Sequence, residues 1–451
     1  PHPLLEHKLK AANHTPRSRS NKLVRSPHIQ QRFPRQSIFL HVEDVALPTL
    51  VTEFGTPCYV YSKAAIKAQW DLLTGAFAGH DCLPCYAVKA NSNIAILQLL
   101  AAWGAGFDIV SVGELERVLA AGGAANKVMF SGVAKREDEI RAAIYHQIGC
   151  INIESEYELS RIQTIAAEMK MPARVSVRIN PDVDPQTHPY ISTGLKQSKF
   201  GVTSEVALSL YQSTIDDPWV SAVGIDCHIG SQITDTAPYR QAAEHVFRFV
   251  AELERMGIKL KHIDLGGGFG VTYEQESPPA FDAFAAQILP LFEGTDYQLV
   301  LEPGRSLVAN AGILLTRVEY IKDTSVHKFS VVDAAMNDLI RPALYQAWHT
   351  ILPLVDKSDA NSCEYDVVGP VCESGDFLAK ARLLPELGSG DVLAVMSAGA
   401  YAMTMASNYN SRQKPCELLV DGAQVNIIRR REALSDLWQH ESLLVDSCVP
   451  D

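Results

Sequence analysis

The chain lacks an uninterrupted apolar run approaching the ~18 residues needed to cross a bilayer, so no membrane partner is expected. It also lacks a basic surplus. The formal net charge is -12 over 451 residues, which gives no footprint for a polyanion and argues against nucleic-acid binding. A disulfide framework is missing too: nine cysteines are scattered along the chain and their number is odd, a pattern of reducing compartments. Cys82 and Cys85 have CxxC spacing, but no second pair completes a zinc site, and no metal is expected. The first 36 residues hold eight Lys/Arg and a single acid, Glu6, without hydrophobic periodicity. They also have no apolar h-region, which excludes a secretory signal. Residues 1–36 therefore read as a disordered basic extension, either a leader or an added tail, and stay outside the fold. The expected location is cytoplasmic, or plastid if that leader is a transit peptide.

What the chain has is ordinary globular composition, 47% hydrophobic and 20% charged, at a length that suits two domains. Short β-rich runs recur from residue 83: LPCYAV (83–88), FDIVSV (107–112), KVMFSG (127–132), CINIES (150–155), ARVSVRIN (173–180), VSAVGIDCHIG (220–230), LKHIDLGGG (260–268) and YQLVLEPGR (297–305). Their spacing mostly fits one strand plus one helix, and the intervals carry helix pattern, as in ELERVLAAGG (114–123). Strands alternating with helices imply parallel pairing, and eight units predict a closed (β/α)8 TIM-like barrel over 63–308. An open doubly wound sheet is the alternative, but polar groups at the ends of all eight strands fit a barrel better.

One interval, 181–219, is long and contains THPYISTGLKQSKFG (187–201), as expected of a functional loop or lid. After residue 305 strand-like runs succeed one another with few helices: 312–322, 327–335, 364–372, 391–398 and 416–422. They predict a C-terminal antiparallel β-barrel or sandwich domain over 309–451, which the segment 37–62, carrying PCYVYS (57–62), is expected to join.

In such barrels chemistry gathers where the strands end. That rule selects Lys89 after the first strand, Asp108 in the second and His228 closing the sixth. Gly266, Gly267 and Gly268 follow the seventh, and Glu302, Gly304 and Arg305 follow the eighth. A lysine is rarely left buried without purpose, glycines let backbone N–H groups approach an anion, and Arg305 suits a phosphate or a carboxylate. Each signal alone is weak: a lysine can simply end a strand, glycines make turns, and a lone histidine is usually a satisfied core residue. Together, a lysine, a phosphate cradle and a carboxylate point to pyridoxal phosphate, with the lysine as Schiff base and an acid at the pyridine nitrogen. Whether Arg305 holds phosphate or a substrate carboxylate stays open.

The motifs YAVKAN (86–91), HIGSQI (228–233), DLGGGFG (264–270), EPGR (302–305), CESGD (372–376) and GAY (399–401) resemble the fold-type III pyridoxal-phosphate decarboxylases. The resemblance runs from about residue 38 to about 440 and is nearest to the branch that decarboxylates meso-2,6-diaminopimelate to L-lysine and CO2. It implies that Lys89 holds the cofactor, His228 stacks on its ring and Glu302 hydrogen-bonds the ring nitrogen. Ser231, Gly268, Gly304 and Tyr401 would surround the phosphate, and Asp108 matches a cofactor-site aspartate. Cys372 would deliver a proton, reaching the site from the neighbouring subunit of a homodimer with shared active sites.

For the substrate, the resemblance implies carboxylate contacts from Arg305, Arg341 and Tyr345, beside Tyr401, and an amine contact from Glu373. Related ornithine decarboxylases place an aspartate just after the tyrosine equivalent to Tyr345, whereas here that position is Gln346. Rival readings are a decarboxylase of ornithine, arginine or a carboxylated polyamine such as carboxynorspermidine, a racemase of the same barrel, and a non-catalytic decarboxylase-like binding protein. The racemase would need an opposite-face base in place of Cys372. A binding protein would tend to have lost Lys89, Glu302 or Cys372, and all three are present.

Overall fold

A computed structural model of the chain describes residues 34–36, 38–181, 183 and 199–444. The basic extension, apart from 34–36, and most of the expected lid over 187–201 lie outside them. The chain opens with a small antiparallel sheet of β1 (Arg35–Gln36), β2 (Phe39–Val42) and β3 (Val45–Ala46), followed by β4 (Cys58–Ser62). Eight parallel strands come next: β5 (Cys82–Ala87), β6 (Gly106–Ile109), β7 (Val128–Phe130), β8 (Cys150–Ile153), β9 (Ala173–Arg178), β10 (Val220–Asp226), β11 (His262–Asp264) and β12 (Gln298–Leu301). They close into a barrel in chain order, with β12 pairing back onto β5. The open doubly wound sheet is thereby excluded.

The strands close this way because helices cover their outer face while side chains fill the inner one. Strands buried on both faces read as continuous apolar runs rather than alternating ones, and all four residues of β6 and of β8 are buried. The covering helices carry their own start signals. Ser111 accepts a hydrogen bond from the Glu114 N–H at the head of helix Val112–Ala120, and Ser155 does the same for Glu158 in helix Glu156–Met169. Each such cap is worth about 1 kcal/mol. The first of these helices buries Leu115 and Val118, one turn apart on the face toward the barrel. The long interval after β9 is not all loop, since Ser204–Gln212 forms a helix.

The remaining strands are β13 (Gly312–Asp323), β14 (Lys328–Val332), β15 (Ile351–Pro353), β16 (Ser362–Val368), β17 (Phe377–Pro385), β18 (Val392–Val395), β19 (Cys416–Asp421) and β20 (Gln424–Arg429). Their sheet runs in the order β17-β16-β14-β13-β4-β19-β20, with β18 also pairing β13 and β15. It is antiparallel except where β14 meets β16 and where β19 meets β4. β4 belongs to this later sheet, lying between β13 and β19. No helix among the described residues is long and apolar enough to cross a membrane.

Candidate active site

The first barrel strand ends at Ala87, and Val88–Ala90 turn as a short 3-10 helix that carries Lys89. Two asparagines hold the segment just after it. The Asn93 side chain caps helix Ile94–Ala102 by accepting from Ala95 N–H, and its Nδ2 donates to Glu417 Oε2 at 2.9 Å. The Asn91 Nδ2 donates to the Gly399 carbonyl at 3.1 Å, and Tyr401 N–H donates to the Ala90 carbonyl at 2.8 Å. The β domain therefore clamps the turn that presents Lys89.

Lys89 opens into a cavity of about 450 Å³ at the junction of barrel and β domain. Ten of the residues singled out in the sequence line it: Lys89, His228, Ser231, Gly268, Glu302, Gly304, Arg305, Arg341, Tyr345 and Tyr401. Asp108 stands behind the wall and reaches Lys89 Nζ at 2.8 Å through Oδ2. Desolvation works against the lysine's charge, but Asp108, Tyr401 and Glu302 outweigh it and hold the ammonium above its ordinary range.

Cys372 and Glu373 are not brought to this cavity by their own chain. Cys372 is exposed, its N–H donating to Asn410 Oδ1 at 2.9 Å. Glu373 accepts from the Tyr409 hydroxyl at 2.8 Å and lines a separate open groove in the β domain.

Carboxyls crowd one side of the site. Asp226 ends β10, Asp264 ends β11, and Glu302 directly follows β12; their carboxylate oxygens lie within 4.8 Å of one another. Burial pushes Glu302 and Asp264 well above the usual carboxylate range, helped by neighbouring acids. Burial likewise pushes Asp226 up to about 7 against the pull of Arg178, whose guanidinium also pairs with Glu154 at 3.3 Å. Asp108 Oδ1, Asp226 Oδ1 and Asp264 Oδ2 are buried without a hydrogen-bond partner. Such a cluster holds extra protons until a cationic group arrives. His228 is the opposite case: burial, Arg178 and Lys89 push its pKa down. Its ring is neutral, and Nδ1 accepts from Gly267 N–H at 3.2 Å.

The other side of the cavity is cationic. Arg305 donates to the Tyr273 hydroxyl at 2.7 Å and to Ser231 Oγ at 3.0 Å, with its guanidinium 4.7 Å from the centre of the Tyr401 ring. Arg341 lies 4.4 Å from the centre of the Tyr273 ring and 2.9 Å from His349 Nε2. Both arginines are buried, and among the described residues neither has a carboxylate within ion-pair distance. A buried charge without a counter-ion is costly, so this half of the cavity is built for anions.

The glycines are spatially required. A Cβ on Gly267 would stand 1.9 Å from the Glu302 carbonyl oxygen, and one on Gly268, where φ is +91°, would stand 2.2 Å from that of Gly230. Tyr401, a non-glycine at φ +53°, carries strain of the kind that gathers at functional sites.

A phosphorylated pyridine fits this donor set: an amine, a neutral imidazole, an acid-rich wall for a protonated ring nitrogen, and guanidinium, hydroxyl and glycine backbone for phosphate. Sequence reasoning missed Ser131, Arg178, Tyr273 and Trp348, which also line the cavity. Ser131 and Arg178 sit at strand ends, so the strand-end rule reaches them. Tyr273 and Trp348 lie outside helices and strands and carry no periodic signal.

Comparisons with known proteins agree with this chemistry. Residues 63–309 match the family described as pyridoxal-dependent decarboxylase, pyridoxal binding domain. The chain is 54% identical to the diaminopimelate decarboxylase of Pseudomonas aeruginosa over 405 residues, covering 90% of this chain and 97% of that protein. Among solved structures, diaminopimelate decarboxylase from Helicobacter pylori complexed with L-lysine superposes with a TM-score of 0.85 at 44% identity, over 88% of this chain and 99% of that one. The diaminopimelate decarboxylase of M. jannaschii gives 0.88 at 37%, over 93% and 100%.

Proposed function

This chain belongs to the pyridoxal-dependent decarboxylases, and from that premise we propose that it removes one carboxylate of meso-2,6-diaminopimelate as CO2, leaving L-lysine, the last step of lysine biosynthesis. The cofactor is pyridoxal 5'-phosphate. The observation that carries the substrate assignment is the pair of buried guanidiniums, Arg305 and Arg341, sharing one cavity with Lys89. A cofactor phosphate answers one anionic requirement. A carboxylate at the far end of the substrate answers the other, and a substrate with only a distal amine leaves it unmet.

Bound at Lys89, the cofactor supplies an electron sink for the pair of electrons left when CO2 departs. The protein's own residues do the rest. Lys89 provides the attachment point, and Asp108 holds its ammonium until the cofactor is loaded. Glu302 would take the ring nitrogen, and the neutral imidazole of His228 would pack on the ring face without adding charge. Ser231, Gly268, Gly304 and Tyr401 would receive the phosphate, with Arg305 beside them. Arg341 and Tyr345 hold the distal carboxylate. Cys372 would return a proton to the carbon that loses CO2, and Glu373 would bind the distal amine.

Both of those last residues lie away from the cavity of their own chain, which supports a homodimer in which each supplies its partner's site. Decarboxylation of another basic amino acid is the second reading, and the Arg341 guanidinium opposes it. The test is to purify the protein, record the visible absorbance of bound cofactor, and measure CO2 release from meso-diaminopimelate, ornithine, arginine and carboxynorspermidine. Release from ornithine or arginine that outpaces diaminopimelate would overturn the assignment.

A further inference from the structure

We infer that His349 is a positioning residue for the distal-carboxylate site: a neutral imidazole, locked in one tautomer, that aims Arg341 at the ligand without neutralising it. The inference rests on the reading that Arg341 receives the substrate's far carboxylate.

His349 is wholly buried. Its Nδ1 lies 2.8 Å from the Met396 carbonyl oxygen, and a carbonyl oxygen only accepts, so Nδ1 carries the proton. Nε2 lies 2.9 Å from Arg341 Nη1, and a guanidinium only donates, so Nε2 offers its lone pair. One tautomer satisfies both contacts, whereas a doubly protonated ring keeps the Met396 contact but turns an N–H and a positive charge on the Arg341 guanidinium. Burial and the neighbouring guanidiniums of Arg341, Arg382 and Arg305 keep the ring neutral, pulling its pKa down to about 3.

The choice of a neutral acceptor matters. The Tyr273 ring packs edge-on against His349 at 5.5 Å and carries Arg341 on its face, so the guanidinium is held from two directions. Neither contact brings a negative charge. A carboxylate in place of His349 would make an equally good hydrogen bond while cancelling the field that the ligand needs. His349 itself does not line the cavity, although Ala347 and Trp348 on the same segment do, so its effect on the substrate passes through Arg341.

The test compares His349→Ala, His349→Gln and His349→Glu in the cofactor-loaded enzyme, with Arg341→Ala as control. The readouts are KM and kcat for meso-diaminopimelate and the calorimetric Kd of L-lysine, which keeps the far carboxylate. Folding is checked by thermal melting and by cofactor absorbance. His349→Ala is expected to raise KM and Kd about tenfold or more, with kcat within about threefold of the parent. His349→Gln, which restores a neutral acceptor, should recover most of that loss. His349→Glu, which restores the bond but adds a charge, should bind worse than His349→Gln by about tenfold.

Equal binding by the Gln and Glu variants would overturn the inference, even if the Ala variant fails to fold. So would parent-like KM and Kd in His349→Ala. If Arg341→Ala itself leaves KM and Kd unchanged, the carboxylate-site reading falls first. If Arg341→Ala weakens both while His349→Ala does not, that reading stands and the role given to His349 is wrong.

Discussion

Lys89 Nζ and Asp108 Oδ2 stand 2.8 Å apart, the amine opening to the cavity and the acid fully buried behind it. The pair keeps the Lys89 amine charged, and the proposed attachment of the cofactor at Lys89 would break this contact. Lys89→Ala should therefore remove the visible absorbance and every trace of activity. Retention of a borohydride-reducible cofactor by that variant would rule out Lys89 as the attachment point.

Gly267 predicts a steric failure. A methyl group there meets the Glu302 backbone, which cannot swing aside as a side chain can. Overpacking of this kind costs about 1–3 kcal/mol. Gly267→Ala should melt lower than the parent and hold cofactor more weakly, because Glu302 shifts with its carbonyl. An unchanged melting temperature together with unchanged cofactor affinity would contradict the contact.

The buried acids predict a pH dependence. Asp226 gives up its proton near 3.8 when unfolded and at about 7 when folded. Between those values the folded protein binds the extra proton, so this group's contribution to stability falls as pH rises through the window. Asp226→Asn removes the dependence. The variant's melting temperature relative to the parent should therefore climb from pH 5 to pH 8, whatever constant offset the lost Arg178 contact adds. A flat difference across that range would mean that Asp226 is ionised throughout.

The proposed shared sites predict complementation. In a heterodimer of Lys89→Ala and Cys372→Ala subunits, one site carries both lesions and the other carries none. Random re-pairing makes about half the dimers mixed, so activity should return to about a quarter of wild type. The assay tracks activity after co-expression, with dimer formation checked by gel filtration. Heterodimers that remain as inactive as the separate variants would place Cys372 outside the partner's site.

The barrel was legible because each of its strands is a compact apolar run between glycine or polar stops, repeated eight times. Lys89, His228 and Glu302 were legible because the fold makes strand ends special. The β domain was less readable. In β20 most positions are exposed or half-buried, so it has no apolar stripe, and Phe377–Pro385 interrupts its alternation with paired buried and paired exposed residues. Tyr273 was invisible for another reason: its role lies in having two guanidiniums against one ring, a relation among three distant segments that spacing along the chain does not encode. The same holds for His349, whose partners are Arg341 and the Met396 carbonyl.

The placement of β4 between β13 and β19 has a consequence for how the molecule is made. A ribosome that has released the entire barrel has produced β4 but neither of its neighbours, so both edges of that strand wait unpaired while every barrel strand emerges. Only after the barrel and most of the β domain have been made can β19 line up alongside β4, bringing Glu417 to the Tyr61 hydroxyl and to Asn93, close behind Lys89 in the chain. Part of the clamp on the lysine turn is thus added late, after the contacts from Gly399 and Tyr401. Truncation just before residue 416 should consequently yield a chain that keeps its barrel strands and the Gly399 and Tyr401 contacts but loses the Glu417 anchor on Asn93, and it should capture cofactor more weakly than the whole chain.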